Sequence, residues 1–234
     1  MQKVVGIIGG MGPMATVDLM NKIIFYTRAK KDQDHIHIIA DNYSQIPDRT
    51  TAILGKGIDP TPYIIQSAKR LHNAGADFLV IACNTAHFFF GPVEQSVNVP
   101  ILHMPAETAK FLHENKFKKV GLLATDGTIK TELYQHSCQN YDIEVIEPDV
   151  EMQKEVMKGI YAIKGGDLVT GFSCFSTVAN QLTKGGAEAI IAGCTEVPLV
   201  LKSSNDICVI DPTEILAKMV VKTATGTNKE IQFV

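Results

Sequence analysis

The chain has no long hydrophobic run, no block of like charge, no low-complexity linker and no Cys-x-x-Cys pair. Each absence narrows the field. Without an apolar stretch of about 20 residues, no membrane-spanning helix is predicted. The 22 Lys and Arg against 25 Asp and Glu leave a formal charge of −3. The lysines are scattered, so neither a basic stripe nor an aromatic RNA-binding motif marks a nucleic-acid surface. The segment Lys3-Val4-Val5-Gly6-Ile7-Ile8 is too short for the apolar core of a secretion signal and reads as a first strand. Five cysteines in a loop-poor chain argue against a disulfide framework and for a reducing, cytoplasmic setting. The 234 residues, 45% hydrophobic and 20% charged, suffice for one large domain or two lobes with real cores.

An internal repeat favours two lobes. Gly75-Ala76-Asp77-Phe78-Leu79-Val80-Ile81-Ala82-Cys83-Asn84-Thr85 aligns without a gap on Gly186-Ala187-Glu188-Ala189-Ile190-Ile191-Ala192-Gly193-Cys194-Thr195-Glu196. Each copy is Gly-Ala-acid, an apolar run that reads as a buried strand, then a cysteine at its carboxyl end. Lys3–Gly9 is similarly matched by Lys119–Ala124. Val99-Pro100-Ile101-Leu102-His103-Met104-Pro105 is matched by Ile207-Cys208-Val209-Ile210-Asp211-Pro212, each a short strand followed by a helix-starting Pro. Open α/β sheets build sites beyond the carboxyl ends of their strands. If the two halves face each other, the two thiols flank one pocket.

The pattern predicts strands at 3–8, 35–40, 77–82, 99–102, 118–124, 143–146, 187–192 and 207–210. Helices are predicted at 14–30, 61–73, 106–114, 128–139, 149–163, 169–184 and 213–223. This alternation implies an α/β fold with two pseudo-symmetric lobes, each a mostly parallel sheet flanked by helices. The segment from Thr225 to Asn228 reads as a polar tail.

Several residues are candidates for chemistry. Gly10-x-Gly12-x-x-Ala15 after the first strand has the spacing of a dinucleotide fingerprint, and Asp41 ends the second predicted strand where an acid meets a ribose. The same turn serves a carboxylate equally well. Cys83 and Cys194 sit at strand-to-helix turns, where free N–H groups and the helix dipole favour thiolate. Cys138, Cys174 and Cys208 lack that context and read as small buried hydrophobes. Cys83-x3-His87 has a zinc-like spacing but no ligand cluster around it, and His87 is expected to pack or hydrogen-bond beside the first thiol. Arg49, after Pro47, offers a planar fork for a carboxylate. Lys164, before Gly165-Gly166, reads from the sequence alone as a helix C-terminal cation.

As a set, Gly9-Gly10-Met11-Gly12-Pro13-Met14-Ala15-Thr16, Ile46-Pro47-Asp48-Arg49-Thr50, Ala82-Cys83-Asn84-Thr85-Ala86-His87 and Gly193-Cys194-Thr195-Glu196 resemble the cofactor-independent aspartate branch of the aspartate/glutamate racemase family. The resemblance spans almost the whole chain. It implies an active site in the cleft between lobes, a homodimer, and no cofactor or metal. It implies a first lobe of residues 1–103 plus 211–234 and a second of 104–210. Carried onto this sequence, Cys83 and Cys194 are the catalytic pair, and Arg49 and Lys164 meet the side-chain carboxylate. Asn84, Thr85 and Thr195 hold the α-carboxylate and amino group, with Met11 and Thr125 bordering the substrate. The chain departs from the glutamate branch, which has Asp-Ser-Gly after the first strand and a histidine where this chain has Glu196.

Inverting Cα needs a proton removed from one face and returned on the other, which two thiols on opposite faces accomplish. The expected activity is therefore interconversion of L- and D-aspartate, or glutamate. The alternative on the same fold is a cysteine-dependent isomerase or decarboxylase of small dicarboxylates such as maleate or malonates.

Overall fold

The computed structural model describes residues 2–226. The polar tail beyond Gly226, and with it the end of the expected first lobe, lies outside the described residues. The chain runs β1 (Val5–Gly9), α1 (Pro13–Thr27), β2 (Ile38–Asn42), α2 (Arg49–Ile53), α3 (Thr61–Asn73), β3 (Phe78–Ile81), α4 (Phe90–Glu94), β4 (Ile101–Leu102) and α5 (Met104–Glu114). It continues β5 (Lys119–Ala124), α6 (Asp126–Lys130), α7 (Leu133–Gln139), β6 (Glu144–Ile146), α8 (Val150–Lys164), α9 (Leu168–Lys184), β7 (Ala189–Gly193), α10 (Val197–Val200), β8 (Val209–Ile210) and α11 (Pro212–Thr225).

The strands form two parallel four-stranded sheets of the same order, β2-β1-β3-β4 and β6-β5-β7-β8. The central strands are apolar on both faces because helices cover both, which is why their sequences are continuous rather than alternating. One face of the first sheet carries Val5, Ile7, Phe78 and Val80, and it packs on Leu19 and Ile23 of α1 and on Leu216 and Val220 of α11. The other carries Ile8, Leu79, Ile81 and Cys83 and packs on Ile64, Ala68 and Leu71 of α3. In the second sheet the equivalent face carries Ile190, Ala192 and Cys194 and packs on Phe175, Val178 and Leu182 of α9.

The repeat therefore extends to the packing. A Cβ at Gly6 would lie 2.4 Å from Leu79 Cδ2 and 3.2 Å from Leu71 Cβ. A Cβ at Gly121 would lie 2.8 Å from Ile190 Cδ1 and 3.0 Å from Leu182 Cβ. At the same place in each lobe, a glycine lets one helix settle onto the sheet beside its carboxyl-terminal neighbour strand.

All eight expected strands form, with differences that have local causes. β2 begins at Ile38 rather than residue 35, because a 3₁₀ turn at Asp32–Asp34 brings the chain in late and Val5 pairs with Ile38. The helix expected over 128–139 is two helices: Thr125 caps α6 by accepting from Thr128 N–H, and Glu132 adopts a left-handed conformation (φ 50°) that breaks the run. Short α2, α4 and α10 have too few residues for a readable period. Among the described residues no helix is long and apolar enough to cross a membrane.

Candidate active site

Twelve residues from both sheets' carboxyl-terminal ends surround one small pocket: Met11, Asp48, Arg49, Thr50, Cys83, Asn84, Thr85, Thr125, Lys164, Cys194, Thr195 and Glu196. Every residue singled out from the sequence for catalysis or substrate contact lies there. About 20 Å³ between them is open to the centre of a water-sized sphere, room for roughly one water.

Cys83 sits two residues past β3, at the foot of a 3₁₀ turn (Thr85–Phe89), and is 5% exposed. His87 supports that turn from beneath. Its Nδ1 donates to the carbonyls of Cys83 (2.8 Å) and Asn84 (3.2 Å), and its Nε2 accepts from Met104 N–H (3.2 Å). Burial, with the neighbouring His103, pushes its pKa down to about 3, so the ring is neutral. Both ring nitrogens are engaged, which leaves none to ligate zinc, and no metal-binding cluster occurs among the described residues.

Cys194 follows β7 directly and is equally buried. Its Sγ donates to Glu196 Oε2 at 2.9 Å, and Thr195 Oγ1 donates to the same oxygen at 3.2 Å. Burial and the Glu196 charge push the thiol well above its usual range, against an opposing pull from Lys164. This overturns the expectation of a dipole-stabilised thiolate at Cys194. The helix that follows it, α10, has four residues, too few to build a strong dipole, and a carboxylate occupies the thiol's side of the turn.

The two cations differ in availability. Arg49 opens α2 rather than projecting from a loop. It is buried, its NH1 donates to Ile46 O (3.3 Å) and Pro47 O (3.1 Å), and its NH2 donates to Met11 O (3.2 Å). Its buried Nε has no partner among the described residues. Asp48 caps α2 by accepting from Thr51 N–H (2.8 Å); burial alone would raise its carboxyl, but that bond and Arg49 hold it below the usual value. Lys164 ends α8 and turns toward the pocket. Burial pulls its pKa down, but Glu196 and Cys194 outweigh it and keep the ammonium above its ordinary value.

Hydroxyls and amides bridge the lobes at the same place. Thr85 Oγ1 lies 2.9 Å from Thr125 Oγ1 and 3.0 Å from Thr128 Oγ1. Tyr134 OH donates to Asn84 Oδ1.

The dinucleotide reading does not survive this geometry. Gly10 N–H, which would meet a phosphate, donates to Thr16 Oγ1 at 2.9 Å. Asp41 lies inside β2, opposite Ile8, and its carboxylate is held by Arg70 Nε (3.0 Å) and NH2 (2.6 Å). Of the cysteines expected to be buried hydrophobes, Cys138 and Cys174 are buried, but Cys208 is exposed because it precedes β8 at the sheet edge. Sequence reasoning missed Asp48, Thr50, Glu196, Thr128 and Tyr134 as parts of the site. Asp48 had a readable signal, an Asp three residues before an N–H that needs a cap. Glu196 was visible only as a difference from the glutamate branch. Nothing local distinguishes Tyr134 from a core tyrosine.

A sequence model of the Asp/Glu/Hydantoin racemase family matches residues 8–220. The chain is 32% identical over 227 residues to a broad-specificity amino-acid racemase of Bacillus subtilis (strain 168), covering 94% of this chain and 97% of that one. Its fold is similar to that of Picrophilus torridus aspartate racemase, with a TM-score of 0.87, 35% identity, and coverage of 95% of this chain and 94% of that one. An aspartate racemase homologue from Pyrococcus horikoshii OT3 is similar with a TM-score of 0.76, 26% identity, and coverage of 96% and 100%.

Proposed function

The chain belongs to the Asp/Glu/Hydantoin racemase family, and on that premise we propose that it interconverts L- and D-aspartate, or glutamate, by proton transfer between Cα and two cysteines. The observation that carries this reading is the placement of Cys83 and Cys194. They close corresponding strands of two equivalent sheets and line one pocket with two cations.

The proposed cycle conserves protons. One cysteine enters as thiolate and takes the Cα proton. The electron pair left behind spreads into the α-carboxylate. The other cysteine, a thiol, gives its proton to the opposite face of Cα. The enzyme ends with the two sulfurs' states exchanged, ready for the reverse reaction. Glu196 keeps Cys194 in the thiol form between turnovers, so the resting protein is poised with Cys194 as the acid. Lys164 and Arg49 attract the distal carboxylate, which sets the face of Cα that meets each sulfur. Asn84, Thr85, Thr125 and Thr195 supply donors for the α-carboxylate and acceptors for the ammonium, and Met11 closes the wall beside them. An amino acid needs more room than this conformation leaves, so the residues around the pocket move apart to admit it.

Purified protein incubated with single enantiomers of a panel of amino acids, read by chiral chromatography, tests the reading. Inversion of aspartate or glutamate supports it. Conversion of maleate or malonates with no inversion of any amino acid would replace it with the dicarboxylate isomerase or decarboxylase reading.

A further inference from the structure

Asn84 is 1% exposed and lines the pocket, yet its amide nitrogen Nδ2 has no hydrogen-bond partner among the described residues. Its Oδ1, in contrast, accepts from the Tyr134 hydroxyl. The two residues come from different sheets' cores. Asn84 follows β3, whereas Tyr134 lies on α7, fully buried among Leu112, Val120 and Leu122. Burial holds the phenol far above its ordinary titration range, so it remains a donor at any working pH. A donor fixed on Oδ1 dictates the rotation of the amide and turns Nδ2 away from Tyr134. A buried N–H left without an acceptor is destabilising. One kept free beside two thiols and two cations suits an anionic ligand.

We propose that Tyr134 is a positioning residue: its hydroxyl, reaching from the second lobe, orients the Asn84 side-chain amide so that Nδ2 donates to the substrate's α-carboxylate. The inference rests on the racemase reading and adds a residue to it. The bond gains weight as the Cα proton departs and charge builds on the α-carboxylate, so the effect falls on the transition state.

The test is a double-mutant cycle in kcat/KM with Tyr134→Phe, which keeps the buried ring, and Asn84→Ala. Tyr134→Phe is expected to lower kcat/KM about 10-fold or more, and Asn84→Ala about 100-fold. In the Asn84→Ala background, Tyr134→Phe is expected to add less than about 2-fold, since its effect passes through an amide no longer there. Wild-type kcat/KM in Tyr134→Phe, or losses that multiply in the double variant as a merely structural role predicts, would overturn the proposal. Should Tyr134→Phe not fold, Asn84→Asp serves: it keeps an acceptor for Tyr134 but has no N–H to donate. Its activity should fall to the Asn84→Ala level, and wild-type activity there would overturn the proposal. If the wild-type protein inverts no amino acid, the racemase reading has failed, and calorimetric titration with succinate still reads the amide. About 10-fold weaker succinate binding by Tyr134→Phe supports the proposal, and equal binding contradicts it.

Discussion

Cys194 Sγ donates to Glu196 Oε2 at 2.9 Å, and the position in the first lobe that corresponds to Glu196 is Thr85. The repeat thus places two thiols alike but gives only one of them an adjacent carboxylate. This asymmetry gives Cys194 a hydrogen-bonded carboxylate that raises its pKa, at a position where the first lobe has a neutral threonine.

Replacing Glu196 by Gln removes the charge while keeping a hydrogen-bonding side chain. The Cys194 pKa should then fall toward its usual value, since burial remains but the carboxylate does not. In the direction that uses Cys194 as acid, the alkaline limb of the kcat/KM profile moves to lower pH. In the direction that uses it as base, the acid limb moves the same way. Profiles measured from each enantiomer check this; two unchanged profiles would remove Glu196 from the mechanism.

Lys164→Met removes one of the two cations that line the pocket. A charged hydrogen bond is worth about 1.5–3 kcal/mol, so KM for an acidic amino acid should rise roughly 10- to 150-fold. The same change removes the pull that lowers the Cys194 pKa. Initial-rate kinetics across pH separate the two effects: the KM rise persists at every pH, whereas the shift in Cys194 moves the limbs upward, opposite to Glu196→Gln.

His87 makes the fold sensitive to acid. It is neutral because burial and His103 lower its pKa from 6.5 to about 3, and accepting from Met104 N–H at Nε2 requires that form. The unfolded chain binds a proton that the folded chain refuses. The stability His87 contributes is therefore complete above about pH 6.5 and is lost progressively as pH falls toward 3, by at most about 1.4 kcal/mol per pH unit. Urea midpoints from pH 7 to pH 4 should decline, and His87→Asn should flatten the decline. Equal slopes for the two proteins would refute this role.

The fold was legible in the sequence where the physics is local and periodic. The apolar runs ending at Ala82 and Gly193, the prolines that open α5 and α11, and the duplicated Gly-Ala-acid motif mark β3, β4, β7, β8 and the two cysteines. What escaped depended on contacts between distant segments. The start of β2 is set by its pairing with Val5, not by the residues His35 to His37. Arg49 looks like a loop fork in sequence but is folded onto three backbone carbonyls contributed by its own turn and by Met11. Position on a turn points to thiolate at Cys194, whereas burial and a carboxylate two residues later favour the thiol. Tyr134 could not be found at all, because its partner lies 50 residues away in the other sheet's turn.

The two-thiol mechanism is tested most directly by Cys83→Ser and Cys194→Ser in deuterium oxide, following both inversion and deuterium incorporation at Cα from each enantiomer. Each variant should lose racemisation by about 10²–10⁴-fold. Each should retain exchange without inversion from only the enantiomer whose proton faces the surviving cysteine, and the two variants should retain opposite enantiomers. Racemisation at the wild-type rate by either variant would contradict the account.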